Sequence, residues 1–232
     1  MFEVGATDSA PGGNIVTTRR PGAPRRGAAT LAVLALLGGS VVATEVLTTD
    51  EEAAAQFATG GSGAYGGLID WITWGDHRDP VVAGDTGGTT RSIGGVDLVT
   101  TCTVDAIGGD AGGVVAYEPG SYSGDALDDL YNVGGTGTAN TMGAGLANAV
   151  GGESVTIAVS CETTLDGVAV PVQGLVFADA ETSSTNGGEY VQVTPDSPAT
   201  WRVIERLRGD GCTTATEAVL ASDGTLRLQS DG

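Results

Sequence analysis

The chain predicts an all-β fold, an antiparallel β-sandwich or jelly roll with at most one short helix. Apolar residues recur with period two, the side-chain period of a strand with one face buried. Val96, Leu98, Thr100, Cys102 and Val104 share one face, with Asp97, Thr101, Thr103 and Asp105 opposite, and Val155, Ile157, Val159 and Cys161 alternate in the same way against Thr156, Ser160 and Glu162. Turn formers punctuate these blocks at Gly108-Gly109, Asp166-Gly167, Asn186-Gly187-Gly188 and Asp223-Gly224. Asp223-Gly224 suits a two-residue hairpin because glycine accepts positive φ at little cost. No helical stretch is long enough to cross between parallel strands, which leaves antiparallel packing of short strands.

In chain order, residues 1–43 have the three-part layout of a secretory leader. Arg19, Arg20, Arg25 and Arg26 precede the apolar run Leu31–Leu37, and Val41-Val42-Ala43 supplies small or tolerated residues for cleavage. The apolar run is too short for a membrane span, which takes roughly 20 residues. Export therefore sets the expected location as secreted or extracellular, with no transmembrane span in the mature chain. Residues 44–56 are polar and alanine-rich and read as a linker, and the domain is expected over 57–232. Strands are expected at 68–74, 96–104, 113–118, 155–161, 168–178, 189–194, 200–207, 215–220 and 225–229, with a brief helix at Ala126–Asn132.

Charge limits the partners. The chain has 10 basic and 29 acidic residues and no lysine. Removal of 1–43 takes four arginines with Glu3 and Asp8, leaving 6 − 27 = −21. Such a polyanion is repelled by nucleic acid and by anionic lipid. Solubility accounts for charge of this kind, and calcium is the cation that carboxylate clusters would attract. The candidate calcium ligands are Asp125, Asp128 and Asp129, with Asp179 and Glu181 as a second group.

Cysteine usage follows from export. Cys102 and Cys161 lie on apolar strand faces, and in an exported domain a disulfide between them is the default, with two buried thiols as the alternative. Cys212 is then left over. Its expected partner lies beyond Gly232, so the chain reads as a piece of a longer protein, truncated at its C-terminal end.

Most catalytic constellations are excluded by composition. With His77 as the one histidine, two-histidine zinc motifs are impossible, and without lysine there is neither a Schiff base nor a phosphate-loop lysine. No G-x-S-x-G elbow occurs. Abundant carboxylates leave a glycoside hydrolase as a rival reading, although no pair has a spacing typical of one. The expectation is a protein that is not an enzyme. The Gly/Thr/Asn-rich stretch Val133–Asn148 is long for a connection and is a candidate binding loop. Tyr117, Tyr122 and Tyr131 flank or approach it, and with Asn140 they are the candidate ligand-binding residues. For Tyr117, inward packing at a strand end is an equal alternative. Trp71, Trp74 and Trp201 sit in alternating blocks and are expected in the core, and His77 in a solvated loop.

Several blocks in order carry a resemblance. Phe57-Ala58-Thr59-Gly60-Gly61 leads to Ile69-Asp70-Trp71-Ile72-Thr73-Trp74-Gly75. Then come Pro171–Glu181, Glu189-Tyr190-Val191-Gln192-Val193-Thr194-Pro195, Trp201-Arg202-Val203-Ile204-Glu205-Arg206 and Gly211-Cys212-Thr213-Thr214. Together, over roughly 57–232, they resemble the non-repetitive domain of CshA/CshB-type fibrillar adhesins. The resemblance implies a lectin-like β-sandwich near the N-terminus of a bacterial surface fibril. Its activity would be non-covalent adhesion to host glycoprotein, glycan or another cell, with wall attachment through a region outside this chain. A structural stalk or cap domain with no specific ligand is the other alternative. The resemblance supplies no catalytic residue.

Overall fold

A computed structural model describes residues 2–6, 13–18, 61–110, 112–119, 126–133, 142–151, 153–171, 174–179, 190–206 and 216–229. The strands are β1 (Phe2–Ala6), β2 (Gly13–Thr18), β3 (Pro80–Val81), β4 (Thr86–Ile93), β5 (Val96–Gly109), β6 (Val114–Tyr117), β7 (Gly145–Asn148), β8 (Ser154–Leu165), β9 (Val168–Val170), β10 (Leu175–Phe177), β11 (Val191–Pro195), β12 (Ala199–Val203), β13 (Glu217–Leu220) and β14 (Leu226–Gln229). The helix α1 is Ala126–Tyr131. Every strand pair is antiparallel. The architecture is the all-β antiparallel sandwich that the period-two pattern predicts.

One layer is a large sheet in the order β13-β14-β11-β2-β8-β5-β4, with β9 also paired to β8. Two small sheets, β3-β6-β7 and β10-β1-β12, complete the described strands. Register shows which face of the large sheet they cover. Residues directly opposite one another on neighbouring strands point to the same side. Ile107 pairs with Ile157, Ile157 with Ile15, Ile15 with Val193, and Val193 with Leu226. On that side Ile157 packs with Val104, Val155 and Val159 of the large sheet and with Val81, Val114 and Ala116 of the small sheet β3-β6-β7. Further along the same face, Val191, Leu226 and Leu228 form a second cluster that receives Trp201 of β12. Both small sheets therefore pack on one face of the large one.

The longest pairing joins β5 to β8, and Cys102 stands opposite Cys161 in its middle. The two form the expected disulfide, with Cα atoms 4.0 Å apart. It links adjacent strands of one sheet. A register shift between Val104 and Ala106 marks a bulge at Asp105. The extra residue transfers the buried side of β5 from the even positions Cys102 and Val104 to Ile107, which packs on the same cluster. Simple alternation extended past Val104 would have put Ala106 there.

The hairpins follow their turn residues. Leu165 pairs with Val168 around Asp166-Gly167, whose φ angles are 49° and 72°. Positive φ at both central residues is the two-residue turn that matches strand twist. The Asp223-Gly224 hairpin differs from the two-residue expectation. Ala221 N–H donates to the Thr225 carbonyl at 2.8 Å, so Ser222, Asp223 and Gly224 form a three-residue turn with Gly224 at φ 88°. Asp223 Oδ1 accepts the Thr225 N–H at 2.9 Å, and that hydrogen bond lowers the Asp223 pKa.

Several expected elements shift. Residues 68–74 contribute one isolated bridge, Thr73 to Gly88, and no strand. Gly108-Gly109 ends β5, and the chain turns after it. The segment 168–178 divides into β9 and β10. β4 was not expected, because its Thr-Gly-Gly-Thr-Thr start lacks apolar alternation. β1 and β2 lie inside the stretch read as a leader, and both hold interior positions in their sheets.

Candidate functional site

The candidate loop begins where α1 ends. Leu127, Tyr131, Val133 and Met142 form a buried cluster with Ile69, Trp71, Leu130 and Ile204 packed against it. Asn132 at φ 57° turns the chain out of the helix, its N–H still donating to the Asp128 carbonyl. Met142 N–H then donates to the Val133 carbonyl at 3.0 Å. Val133 is 0 % exposed and Met142 4 %. The two residues that flank 134–141 are thus joined by a hydrogen bond within the core, and 134–141 lie outside the described residues. The expected loop Val133–Asn148 is shorter than its sequence suggests, because Gly145–Asn148 is β7, paired with β6.

Tyr131 is a packing residue. Its side chain is 1 % exposed, and its ring meets Trp71 edge to face at 6.1 Å. The hydroxyl donates to Glu205, and the Glu205 carboxylate also accepts the Ala64 N–H at 3.4 Å. Burial, then the Glu205 hydrogen bond, raise the Tyr131 pKa, so the phenol stays protonated and donating. A Cβ on Gly63 would run into the Tyr131 ring, so only glycine lets that loop lie so close. Tyr131, expected among the ligand-binding residues, is buried in this structure. Its place on α1 follows from Leu127 and Tyr131 sharing a helical face four residues apart.

Tyr117 ends β6 opposite Gly145 and is half-buried. Its ring lies 5.7 Å from that of His77, and His77 Nδ1 accepts the Glu118 N–H at 3.1 Å. His77 is therefore half-buried and tied to β6, where a solvated loop residue was expected. Desolvation, then the charge of Arg78, lower its pKa, with Glu118 acting in the opposite sense. The three tryptophans are partly buried against the hydrophobic clusters, Trp71 near α1, Trp74 over β5 and β8, and Trp201 over β11 and β14. Trp201 Nε1 donates to the Gly224 carbonyl at 2.8 Å and so fixes the last hairpin against β12.

Among the carboxylates, Asp70 is half-buried with Oδ1 lacking a hydrogen-bond partner, and Arg91 lies 3.7 Å from Oδ2. Burial raises its pKa, partly offset by Arg91. Asp128 lies on α1, half-buried; Asp125, Glu181 and the Asp129 side chain lie outside the described residues. Among the described residues no group of three or more His, Cys, Asp or Glu is placed to hold a metal ion. Tyr122, Asn140 and Cys212 also lie outside the described residues.

These parts define a class: an antiparallel β-sandwich with a disulfide joining adjacent strands of its large sheet. The chain belongs to the family described as surface adhesin CshA non-repetitive domain 2, whose family model matches residues 67–232. No curated protein and no solved structure matches the chain. Family membership gives it a surface adhesin role and implies an extracellular, cell-surface location. No helix among the described residues is long and apolar enough to cross a membrane.

Proposed function

We propose that the chain is an exported adhesion domain that binds host extracellular glycoprotein or glycan, or another cell surface, non-covalently and without catalysis. The observation that carries this reading is the adhesin family match over residues 67–232. The hydrogen bond between Val133 and Met142 supports it, because it brings the two ends of the Gly/Thr/Asn-rich stretch together at the core. Tyr117, Tyr122 and Asn140 are the residues proposed to carry the contact. Residues 1–43 serve as the export leader, and a carboxylate group at Asp125, Asp128 and Asp129 orders the nearby chain through calcium. The test is saturable binding of the purified domain to matrix glycoproteins and a glycan array, with and without chelator. Shortening 134–141 is expected to abolish binding while the β-type circular dichroism stays unchanged. Binding that survives the shortening overturns the assignment of the loop, and glycan turnover overturns the non-catalytic reading.

A further inference from the structure

We propose that the strand positions held by β1 and β2 are acceptor positions, which an extended segment of a separate polypeptide occupies in the exported domain. This rests on the reading of residues 1–43 as a leader removed on export, since that removal takes β1 and β2 away.

The two positions are interior. β2 lies between β8 and β11, pairing with 154–159 on one side and 192–195 on the other. β1 lies between β10 and β12. Loss of these strands leaves rows of peptide N–H and C=O groups unpaired in the middle of a sheet, where each must find a new partner. The gap cannot close on itself easily. β8 and β11 are each antiparallel to β2, so they run parallel to one another, and β10 and β12 stand in the same relation across β1. Closure would need parallel pairing in a changed hydrogen-bond pattern, with packed strands drawn together by roughly the 4.8 Å spacing of one strand.

The walls of the larger slot specify its occupant. Position 15 stands opposite both Ile157 and Val193, which are 0 % and 2 % exposed, and position 17 stands opposite Val155. Positions 14 and 16 face Thr194 and Gln192 on one side and Ala158 and Thr156 on the other. An incoming strand must therefore alternate, with small or β-branched apolar residues at the first set and polar ones at the second. The segment Gly13–Thr18 has no charged residue. A strongly acidic domain would also reject an acidic strand. The fitting occupant of this slot is an uncharged or basic stretch of about six residues, free of proline, within a longer segment that adds by β-augmentation. The sheet neighbours of β2, β8 and β11, lie far from it in sequence, so neither joins it as a tight hairpin. It enters the sheet as a strand from elsewhere would.

The test uses the full chain with a specific protease site placed within 44–56. After cleavage of the folded protein, a fluorescent peptide of residues 1–18 is expected to displace the cut arm and bind saturably by anisotropy. Its Ile15→Asp version should bind at least about tenfold more weakly, because it sets a charge between two buried residues. Amide exchange at 155–159 and 192–195 should be slow with either strand in place and fast after the arm is washed out. Equal binding of both peptides, no binding, or unchanged protection without the arm overturns the acceptor reading. Two chains per particle, held by exchanged arms, would assign the position to a second copy and overturn the separate-polypeptide reading. N-terminal sequencing of the secreted protein separates the two premises: a start near Thr44 supports leader removal, and retention of Phe2 overturns it whatever the peptide does.

Discussion

Replacement of both Cys102 and Cys161 by alanine measures what the cross-strand disulfide contributes. The bond closes a sequence separation of 59 residues. In the chain-entropy relation a loop of this length restricts the unfolded chain by about 14 cal/mol/K, or about 4 kcal/mol at room temperature. Two corrections act in opposite directions. Cys102 is 2 % exposed within a packed cluster, so truncation to alanine adds a small packing loss. Residual structure in the unfolded chain takes part of the entropic gain away. A net loss of about 3–4 kcal/mol is expected, which for a domain of this size lowers the melting midpoint by about 6–16 °C. The assay is equilibrium urea unfolding of wild type and double variant at neutral pH. The urea dependence should steepen in the variant, because its unfolded chain is freer to expand. A stability difference under about 1 kcal/mol would refute the chain-entropy account for this domain.

Two further outcomes are expected. Tyr131→Phe removes the donor to Glu205 while keeping the buried ring, and should cost about 1.5–3 kcal/mol, the range for hydrogen bonds to charged groups, measured by the same unfolding curves; a neutral result would mean that the hydroxyl contributes nothing net. The lowered pKa of His77 means that the unfolded chain binds its proton more readily than the folded one, so stability from the neutral ring is complete above about pH 6.5 and falls as pH drops through 6.5 toward the lowered folded value. Thermal melting between pH 5 and 7.5 should show this decline in wild type and lose it in His77→Gln; equal slopes would sink the assignment.

Much of the fold was legible because strand physics is written locally. The alternation at Val155–Cys161 marks β8, and Asp166-Gly167 marks a turn, at which both residues take positive φ. Ala126–Asn132 was readable as a helix because Leu127 and Tyr131 repeat at four. What stayed hidden depends on distant partners. β4 draws its strand character from Cys102–Thr103 and their neighbours, not from its own glycine-rich start. The Asp105 bulge is visible only once Val159 and Ala158 fix the register on the other strand. Tyr131 looked like a binding tyrosine because Gly63 and Glu205, which bury and bond it, are far away in sequence. The loop neck at Val133 and Met142 was hidden for the same reason, since two apolar residues nine positions apart say nothing of a shared hydrogen bond.

The bond between Cys102 and Cys161 also sets how far the domain can be stretched. A chain pulled from its two ends bears load only along covalent paths, and the bond carries that load directly from residue 102 to residue 161. The stretch between them stays slack even when the sandwich around it has been peeled apart. At about 3.4 Å per extended residue it withholds roughly 200 Å of contour length, so an intact bond makes the domain a short tether and a reduced one makes it a long tether.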